Sequence, residues 1–379
     1  MASAHSRPHA SARAMAATSV VLLAAMAGCT GGPAPPDDDQ AERVDKVIDV
    51  FIETADRKDD LRAVLVIRDG EVLVERYRDA TPDDWLEVRS ITKSVTSTLV
   101  GIAIDEGYIS GTDATLGELL PDHAASLSDE MSAITLHEVL THTAGFAPGN
   151  VPGELEYWTT PDWTQTILDN RAEQGPGDGS FAYSNAGAHV LATILAESTG
   201  MPVLAFAREH LFDPLGIPTD PVWDEVLAGS DAELDAIFEE YSAAEFAWAV
   251  DPQGTHEGAS SLKLRPQDLA SLGMLIAQNG EWQGEQIVSR EWVQEATSPS
   301  TSTDFDPVPS YGYQWWVTED ATTSCGVGAG GQVLCIHPQS DVVVVVASSI
   351  DLFDKTRLIH GMSAERALTF ALLIVGLVE

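Results

Sequence analysis

Ser90 and Lys93, in the stretch Ser-Ile-Thr-Lys, are a candidate pair for covalent catalysis. Positions three apart on a helix face the same way, so a hydroxyl and an amine lie side by side. A serine hydroxyl is a poor nucleophile at neutral pH, and a nearby amine can accept its proton where burial disfavours the charged amine. The N–H groups at a helix start favour negative charge on an attacked carbonyl. The pattern indicates acyl transfer, but a serine cap followed by a lysine is also common at exposed helix starts.

Tyr183 and Asn185 form a second candidate pair, in the sequence FAYSNA before another apolar helical stretch. A phenol can relay protons, and an amide can hydrogen-bond to a substrate or a neighbouring side chain. The alternative interpretation is a loop tyrosine followed by an asparagine that caps the helix. Taken singly, this motif leaves both interpretations open.

The combination of motifs resembles one known family. A Y-x-N motif follows S-x-x-K after roughly ninety residues, and GAGGQ at 328–332 precedes a strand-turn-strand ending. With TLHEVLTHTAGF at 135–146 and GEWQGEQIVSREWV at 280–293, these segments resemble serine β-lactamase-like hydrolases. That family includes class C β-lactamases, D-alanyl-D-alanine carboxypeptidases, esterases and 6-aminohexanoate-dimer hydrolases. The resemblance spans about Val44 to the C-terminus.

The resemblance implies a role for each motif residue. Ser90 would be the acylated nucleophile and Lys93 the adjacent base. Tyr183 would relay protons to the leaving group and activate the deacylating water, and Asn185 would orient the substrate or Lys93. The family's oxyanion hole uses two backbone N–H groups, which here implies Ser90 and Gln332, with Gly331 as the alternative one residue away.

The sequence departs from the β-lactamase and peptidase pattern at one point. Where those enzymes have Lys-Thr-Gly or His-x-Gly, the aligned residues are Ala329-Gly330-Gly331. The missing cation normally grips a substrate carboxylate, which alanine cannot do. We therefore expect hydrolysis of a small ester or amide. The alternatives are a β-lactamase or D-alanyl-D-alanine carboxypeptidase, and a non-catalytic envelope binding or sensor protein with the same fold.

Other candidate residues have simpler interpretations. His142 lies in a turn sequence, and the resemblance assigns the base role elsewhere, so we predict structural hydrogen bonds for it. Trp315 and Trp316 are adjacent in a strand-like stretch, so at most one of them faces the site.

The periodicity of apolar residues predicts the helices and strands that carry these side chains. AVLVIRDGEVLVERY at 63–77 predicts a β-hairpin with a tight Asp69-Gly70 turn. Apolar residues at helical spacing predict a buried helix from Ser90 to about Asp105. Three strands are predicted near the end, in YGYQWWVTE, GGQVLCIHP and DVVVVVASS, followed by a helix that packs on the sheet. Further helices are predicted at Leu136–Leu140, Asp162–Asn170, Ala186–Ser198, Val203–Leu211 and Gln267–Gln278.

Strands at both chain ends with a helical middle predict an α+β fold of the β-lactamase/transpeptidase-like type. An antiparallel sheet built from both ends would be flanked by helices, with a mostly helical second lobe. No pattern of metal ligands appears, and we expect neither a metal nor an organic cofactor. The formal net charge of −39 opposes phosphate and argues against nucleic-acid binding.

The N-terminus has the composition of an export signal. Arg7 and Arg13 precede an apolar run, and Met26-Ala27-Gly28-Cys29 resembles the lipobox of bacterial lipoproteins. We predict a signal peptide at 1–28, lipid on Cys29, a tether at 29–40 and a hydrolase domain at 41–379. The protein would then be anchored to a membrane of the bacterial cell envelope. An ordinary signal peptide with an incidental cysteine is the alternative.

Cys325 and Cys335 remain as a pair in an oxidising compartment. A disulfide between them requires the intervening glycines to bend the chain, because a straight strand would hold the sulfur atoms too far apart. Two buried free thiols are the alternative.

Overall fold

The computed structural model describes residues 38–54, 61–147, 156–174, 179–226, 231–349 and 362–379. The predicted signal peptide, Cys29 and the predicted tether up to residue 37 lie outside the described residues. The last three predicted tether residues, 38–40, are helical, because the first helix begins at Asp38. The acidic Asp39 in the first turn suits the positive end of a helix dipole.

The described residues form both α-helices and β-strands, each numbered along the chain. The α-helices are α1 (Asp38–Thr54), α2 (Ile91–Asp105), α3 (Leu116–Leu119), α4 (Asp129–Ser132), α5 (Leu136–Leu140), α6 (Trp163–Gln174), α7 (Asn185–Thr199), α8 (Val203–Ala207), α9 (Asp213–Leu215), α10 (Asp231–Ala243), α11 (Pro266–Ala277), α12 (Arg290–Ala296) and α13 (Ala364–Val378). The strands are β1 (Leu61–Arg68), β2 (Glu71–Tyr77), β3 (Leu86–Glu87), β4 (Val222–Trp223), β5 (Phe246–Trp248), β6 (Leu262–Leu264), β7 (Glu281–Trp282), β8 (Glu285–Gln286), β9 (Thr301–Ser302), β10 (Ser310–Tyr311), β11 (Trp316–Val317), β12 (Ser324–Gly328), β13 (Gln332–His337) and β14 (Val342–Ser348).

The main sheet is built from both ends of the described chain, as predicted. Its eight strands follow the order β2-β1-β14-β13-β12-β11-β10-β9. The β1–β2 turn has left-handed backbone at both Asp69 (φ 52°) and Gly70 (φ 74°), as a tight hairpin turn requires. β1 pairs antiparallel with β14, which joins the two ends of the chain.

The sheet lies between two layers. β14 reads Val-Val-Val-Val-Val-Ala-Ser, and its residues alternate between two hydrophobic clusters, because successive side chains point to opposite faces. The inner cluster includes residues of α2 and α11. The outer cluster includes residues of α1 and α13, so the prediction that the C-terminal helix packs on the sheet is confirmed.

The helical middle contains most of the predicted helices to within a few residues. The predicted helix at 203–211 divides into α8 and a π-helical turn at Arg208–Phe212. A four-stranded sheet ordered β3-β6-β5-β4, which was not predicted, accompanies these helices. Within the described residues, no single helix is long and apolar enough to cross a membrane; the pair Asn185–Thr199 and Val203–Leu215 passes that test only jointly, with a bend of 78°.

One strand prediction is wrong. The stretch YGYQWWVTE forms β10 and β11 with a turn between them, not one continuous strand. Gln314 has left-handed backbone in this turn (φ 64°). A Cβ on Gly312 would lie 2.2 Å from the Ala296 carbonyl oxygen, so glycine allows the chain to pass close to α12.

Candidate active site

Ser90 lies at the N-terminus of α2 and is half-buried. It is the N-cap residue, yet its side chain makes no capping hydrogen bond, so its hydroxyl is available for another partner. The preceding residue, Arg89, has left-handed backbone (φ 51°) and forms an ion pair with Glu87 at 2.8 Å. The attraction of Glu87, more than any other influence, raises the pKa of Arg89. This pair fixes the chain just before Ser90.

Lys93 lies one turn into α2 and is 1% exposed. Its Nζ is within hydrogen-bonding distance of Ser90 Oγ (3.1 Å), Asn185 Oδ1 (2.7 Å) and the Ala259 carbonyl oxygen (2.9 Å). An amide oxygen and a carbonyl oxygen can only accept hydrogen bonds. They therefore hold two N–H groups of the amine and direct its remaining position toward Ser90.

Asn185 is the first residue of α7 and does not cap it. Ser184 is the N-cap, and its hydroxyl accepts a hydrogen bond from Gly187 N at 3.1 Å. The Asn185 amide can therefore reach Lys93 across the site. The structure thus favours the interpretation in which Asn185 orients Lys93 over the helix-cap alternative.

Tyr183 lies beside the same amine. Lys93 Nζ is 5.0 Å from the centre of the Tyr183 ring. Among the described residues, no hydrogen bond joins the Tyr183 hydroxyl to Ser90 or Lys93. Trp316 stacks on the Tyr183 ring with the centres 5.6 Å apart, whereas Trp315 is 1% exposed in the inner core. Trp316 therefore faces the site and Trp315 does not, which agrees with the prediction that at most one of the two would.

Gln332 lies at the start of β13 opposite Gly328, and Gly331 precedes it in the turn. Oε1 of Gln332 accepts from Ser348 N at 3.2 Å, and its Nε2 donates to the Ser348 carbonyl. A Cβ on Gly331 would lie 2.7 Å from Met362, just before α13 in the outer layer. These are side-chain contacts, so the assignment of the second oxyanion N–H to Gln332, with Gly331 as the alternative, stays a prediction.

β12 provides the strand that approaches the start of α2. A Cβ on Gly326 would lie 3.0 Å from Ser94 Oγ, and one on Gly328 would lie 2.6 Å from the Val88 carbonyl oxygen. Between these glycines lies Val327. The sequence contained a signal for this approach, the alternating glycines of Ser-Cys-Gly-Val-Gly, which the turn glycines at 330 and 331 obscured.

The pairing of β12 and β13 determines which N–H groups are available. Cys325 lies opposite Cys335 with a Cα–Cα distance of 4.1 Å, which is typical of a non-hydrogen-bonded pair. Because pairs alternate, Gly328 and Gln332 form a hydrogen-bonded pair, and the Val327 N–H points away from β13. β11 pairs with β12 only at Ser324 and Cys325. The Val327 N–H thus points to the edge of β12 that β11 leaves unpaired, near the start of α2.

Cys325 and Cys335 are joined by a disulfide in this structure. The turn that makes this possible contains Gly330 and Gly331, both with left-handed backbone (φ 79° and 86°). The chain bends at the glycines, as the sequence required for a bond between these cysteines. The bond fixes the register of β12 at the site.

Sequence reasoning missed the Ala259 carbonyl, because a backbone acceptor has no side-chain signature. It also gave His142 no connection to the site, although its ring lies 4.8 Å from that of Tyr183. Among the residues that the structure describes, no three His, Cys, Asp or Glu side chains are grouped to hold a metal ion. The site consists of a hydroxyl, an amine, a phenol and an amide.

Comparison with known proteins identifies the family of this chain. The family model for Beta-lactamase matches residues 60–366. A 6-aminohexanoate-dimer hydrolase of Paenarthrobacter ureafaciens is 29% identical over 334 residues, which cover 80% of this chain and 76% of that protein.

Solved structures show the same fold. EstCE1, a hydrolase with promiscuous acyltransferase activity, has a TM-score of 0.65 at 18% identity, covering 89% of this chain and 99% of that one. A class C β-lactamase from Rhodobacter sphaeroides has a TM-score of 0.58 at 19% identity, covering 89% of this chain and 99% of that one. The chain therefore belongs to the β-lactamase family of serine hydrolases, with the β-lactamase/transpeptidase-like fold.

Proposed function

We propose that this protein is an exported serine hydrolase that cleaves a small ester or amide through an acyl-enzyme on Ser90. The observation that carries the proposal is the position of Lys93 Nζ, which joins Ser90 Oγ at 3.1 Å to Asn185 Oδ1 at 2.7 Å. A buried amine held in this way beside a hydroxyl that caps no helix suits activation of a nucleophile.

In acylation, Ser90 Oγ bonds to the substrate carbonyl carbon while its proton passes to Lys93. The Ser90 N–H and the Val327 N–H stabilise the negative charge on the carbonyl oxygen. The bond to the leaving group then breaks, and Tyr183 delivers a proton to the departing oxygen or nitrogen. The proton taken up by Lys93 restores the Tyr183 hydroxyl, so no net proton is gained or lost.

In deacylation, a water molecule attacks the acyl carbonyl carbon. Tyr183 accepts one proton of the water as its own hydroxyl proton passes to Lys93, and the same two N–H groups stabilise the oxyanion. The bond to Ser90 Oγ breaks, and the serine oxygen recovers a proton through Lys93 and Tyr183. The products are the carboxylic acid and the free enzyme.

The substrate class follows from charge. Residues 329–331, which align with the family's cationic motif, form the turn after β12. β12 itself, the strand that approaches the start of α2, also contains no Lys, Arg or His. A penicillin carboxylate would find no charged partner there. The likeness to a 6-aminohexanoate-dimer hydrolase supports a small amide as well as an ester.

Export and lipid anchoring are part of the proposal. They rest on the apolar N-terminal segment and Cys29, which lie outside the described residues. We expect radiolabelled palmitate to be incorporated by expressing bacteria and the label to be lost with Cys29→Ser. Equal labelling of both proteins would exclude Cys29 as the lipid site, and no labelling of the wild type would exclude the anchor.

The catalytic proposal is tested on the purified protein, with Ser90→Ala as the control. Intact mass is measured after incubation with a fluorophosphonate and, separately, with a penicillin, beside turnover of p-nitrophenyl butyrate. We expect phosphonylation of the wild type only, ester turnover, and neither penicillin hydrolysis nor a lasting penicillin adduct. Rapid penicillin hydrolysis or a stable adduct would favour a β-lactamase or carboxypeptidase, and no labelling would favour a binding protein.

A further inference from the structure

Two buried residues with unusual backbone connect the nucleophile helix to the segment that carries Tyr183. His142 (φ 57°) and Gln314 (φ 64°) both have left-handed backbone and are 3% and 2% exposed. Residues other than glycine rarely adopt this backbone conformation. It persists where surrounding hydrogen bonds compensate for the strain. The bonds of these two residues identify what they connect.

Gln314 contacts α2 and the end of α5. Its carbonyl oxygen accepts a hydrogen bond from Ser94 Oγ at 2.9 Å, and Ser94 directly follows Lys93. Its Nε2 donates to the Leu140 carbonyl oxygen at 2.7 Å. One residue thereby joins the nucleophile helix to the chain two residues before His142.

His142 holds the residues on either side of Tyr183. Its carbonyl oxygen accepts from Ala182 N at 2.8 Å, and its Nδ1 accepts from Ser184 N at 3.4 Å. Its other ring nitrogen, Nε2, has no hydrogen-bond partner among the described residues. The side chain's polar contact is therefore directed at the Tyr183 segment.

The protonation state of His142 suits this contact. Burial, and then the nearby Lys93, lower the pKa of His142 well below its ordinary value, against a smaller opposing effect of the Gln314 side chain. The ring is therefore neutral at neutral pH, and its Nδ1 keeps the lone pair that accepts from Ser184 N.

We propose that His142 and Gln314 are positioning residues that fix Tyr183 relative to Ser90 and Lys93. The contacts form one path, from Ser94 in α2 through Gln314 and Leu140 to His142, and from there to both neighbours of Tyr183. Tyr183 itself makes no hydrogen bond to Ser90 or Lys93 in the described structure, so its place depends on these neighbours together with the stacking of Trp316 on its ring. The inference rests on the proposed role of Tyr183 in proton transfer.

Two variants of His142 separate its acceptor atom from its bulk. His142→Phe keeps a ring but removes the acceptor, and His142→Asn places Oδ1 near the position of Nδ1 and tolerates left-handed backbone. We expect His142→Phe to lower kcat about 10-fold or more with KM changed less than about 3-fold, and His142→Asn to restore most of that loss. His337→Phe, at a buried histidine of β13, controls for loss of a buried ring nitrogen.

The decisive measurement is a double-mutant cycle for p-nitrophenyl butyrate turnover. If His142 acts through Tyr183, His142→Phe lowers kcat by less than about 2-fold in a Tyr183→Phe background. If His142→Phe lowers kcat in the Tyr183→Phe background as much as it does in the wild type, the positioning path is overturned and the proposed role of Tyr183 still stands. A Tyr183→Phe enzyme with wild-type kcat would overturn the proposed role of Tyr183, and the positioning path with it.

Ser94→Ala tests the other end of the path if His142→Phe does not fold. It removes the bond to Gln314 and leaves no bulky gap. We expect kcat to fall about 3-fold or more in the wild type, with less than about 2-fold further loss in the Tyr183→Phe background. An unchanged kcat for Ser94→Ala, with unchanged unfolding, would contradict the path.

Discussion

The two sides of the eight-stranded sheet bury their residues in different ways. The outer side packs against α1 and α13 through apolar side chains that follow the simple alternation of β14. The inner side has an equally apolar centre, but at its edge it also buries Lys93, Ser94, His142 and Gln314. Each of these polar side chains has particular hydrogen-bond partners on neighbouring elements.

The outer side therefore contributes mainly to the stability of the fold, whereas the inner edge positions the residues of the site. Burial of apolar area is non-directional, so the outer side needs residues of suitable size and little more. A buried polar group needs partners at defined distances and angles, so the inner edge has one productive arrangement. Changes on the outer side should alter unfolding and leave turnover per folded molecule unchanged, whereas changes at the inner edge should alter turnover.

Lys93→Ala has the largest expected effect. It removes the amine that joins Ser90 to Asn185 and the Ala259 carbonyl, and with it the acceptor for the serine proton. We expect kcat/KM for p-nitrophenyl butyrate to fall about 10²- to 10⁴-fold. Near-normal turnover in a folded Lys93→Ala protein would refute the assigned role and the contrast between the two sides.

Gly326→Ala and Gly376→Ala form a matched pair on opposite sides. A Cβ on Gly326 would lie 3.0 Å from Ser94 Oγ and 3.3 Å from Ile91, whereas one on Gly376 in α13 meets nothing within 4 Å. We expect Gly326→Ala to lower the free energy of unfolding by about 1–3 kcal/mol and to slow phosphonylation of Ser90. Gly376→Ala should raise it by about 0.5–1 kcal/mol, because alanine favours the helix.

Denaturant unfolding and fluorophosphonate labelling rates measure both members of the pair. Equal labelling rates in the two variants would show that β12 tolerates displacement from α2. That result would contradict the close approach on which the Val327 N–H assignment depends.

The elements that sequence reasoning predicted well are those that a repeating pattern specifies. The β1–β2 hairpin, α2, α7 and the packing of α13 follow from alternation, helical spacing and a two-residue turn signal. Ser90, Lys93 and Asn185 converge as their motifs imply, because two helix starts carry them to the same place.

The parts that were not predicted depend on contacts between distant segments. The break between β10 and β11 comes from left-handed Gln314, whose partners lie in α2 and at the end of α5. The motif assigns the second oxyanion N–H to Gln332, whereas the pairing of β12 with β13 favours Val327. The register of β12 against α2 is set by Gly326: the alternating glycines of β12 indicate a close approach, but not which residues of α2 they meet.

Ile91→Val and Ile374→Val compare the same deletion on the two sides. Both isoleucines are fully buried, Ile91 beside Ser90 and Ile374 in α13 against the outer face. We expect each change to lower the free energy of unfolding by about 0.5–1.5 kcal/mol. Only Ile91→Val should also change kcat, because it loosens the first turn of α2. A rate change of the same size in Ile374→Val would show that the two sides are coupled.

The smallest expected effect concerns a polar contact on the helical side of the molecule. His123 Nδ1 lies 2.7 Å from Glu197 Oε1, and this hydrogen bond, more than other influences, raises the pKa of His123 above its ordinary value of 6.5. A raised pKa in the folded state means that the bond stabilises the protein fully below that ordinary value and is lost as pH rises through the folded-state pKa.

His123→Gln should therefore lower stability more at about pH 5.5 than at about pH 8.5, by less than about 1 kcal/mol, since half-buried pairs of this kind contribute little. The measurement is urea unfolding of wild type and variant at both pH values, with Ile374→Val as a control whose loss comes from apolar packing and does not involve a titrating group. A difference that is constant with pH, or larger at the higher pH, would mean that the imidazolium form does not gain from Glu197. The contact would then act as packing, like the contacts of the outer side.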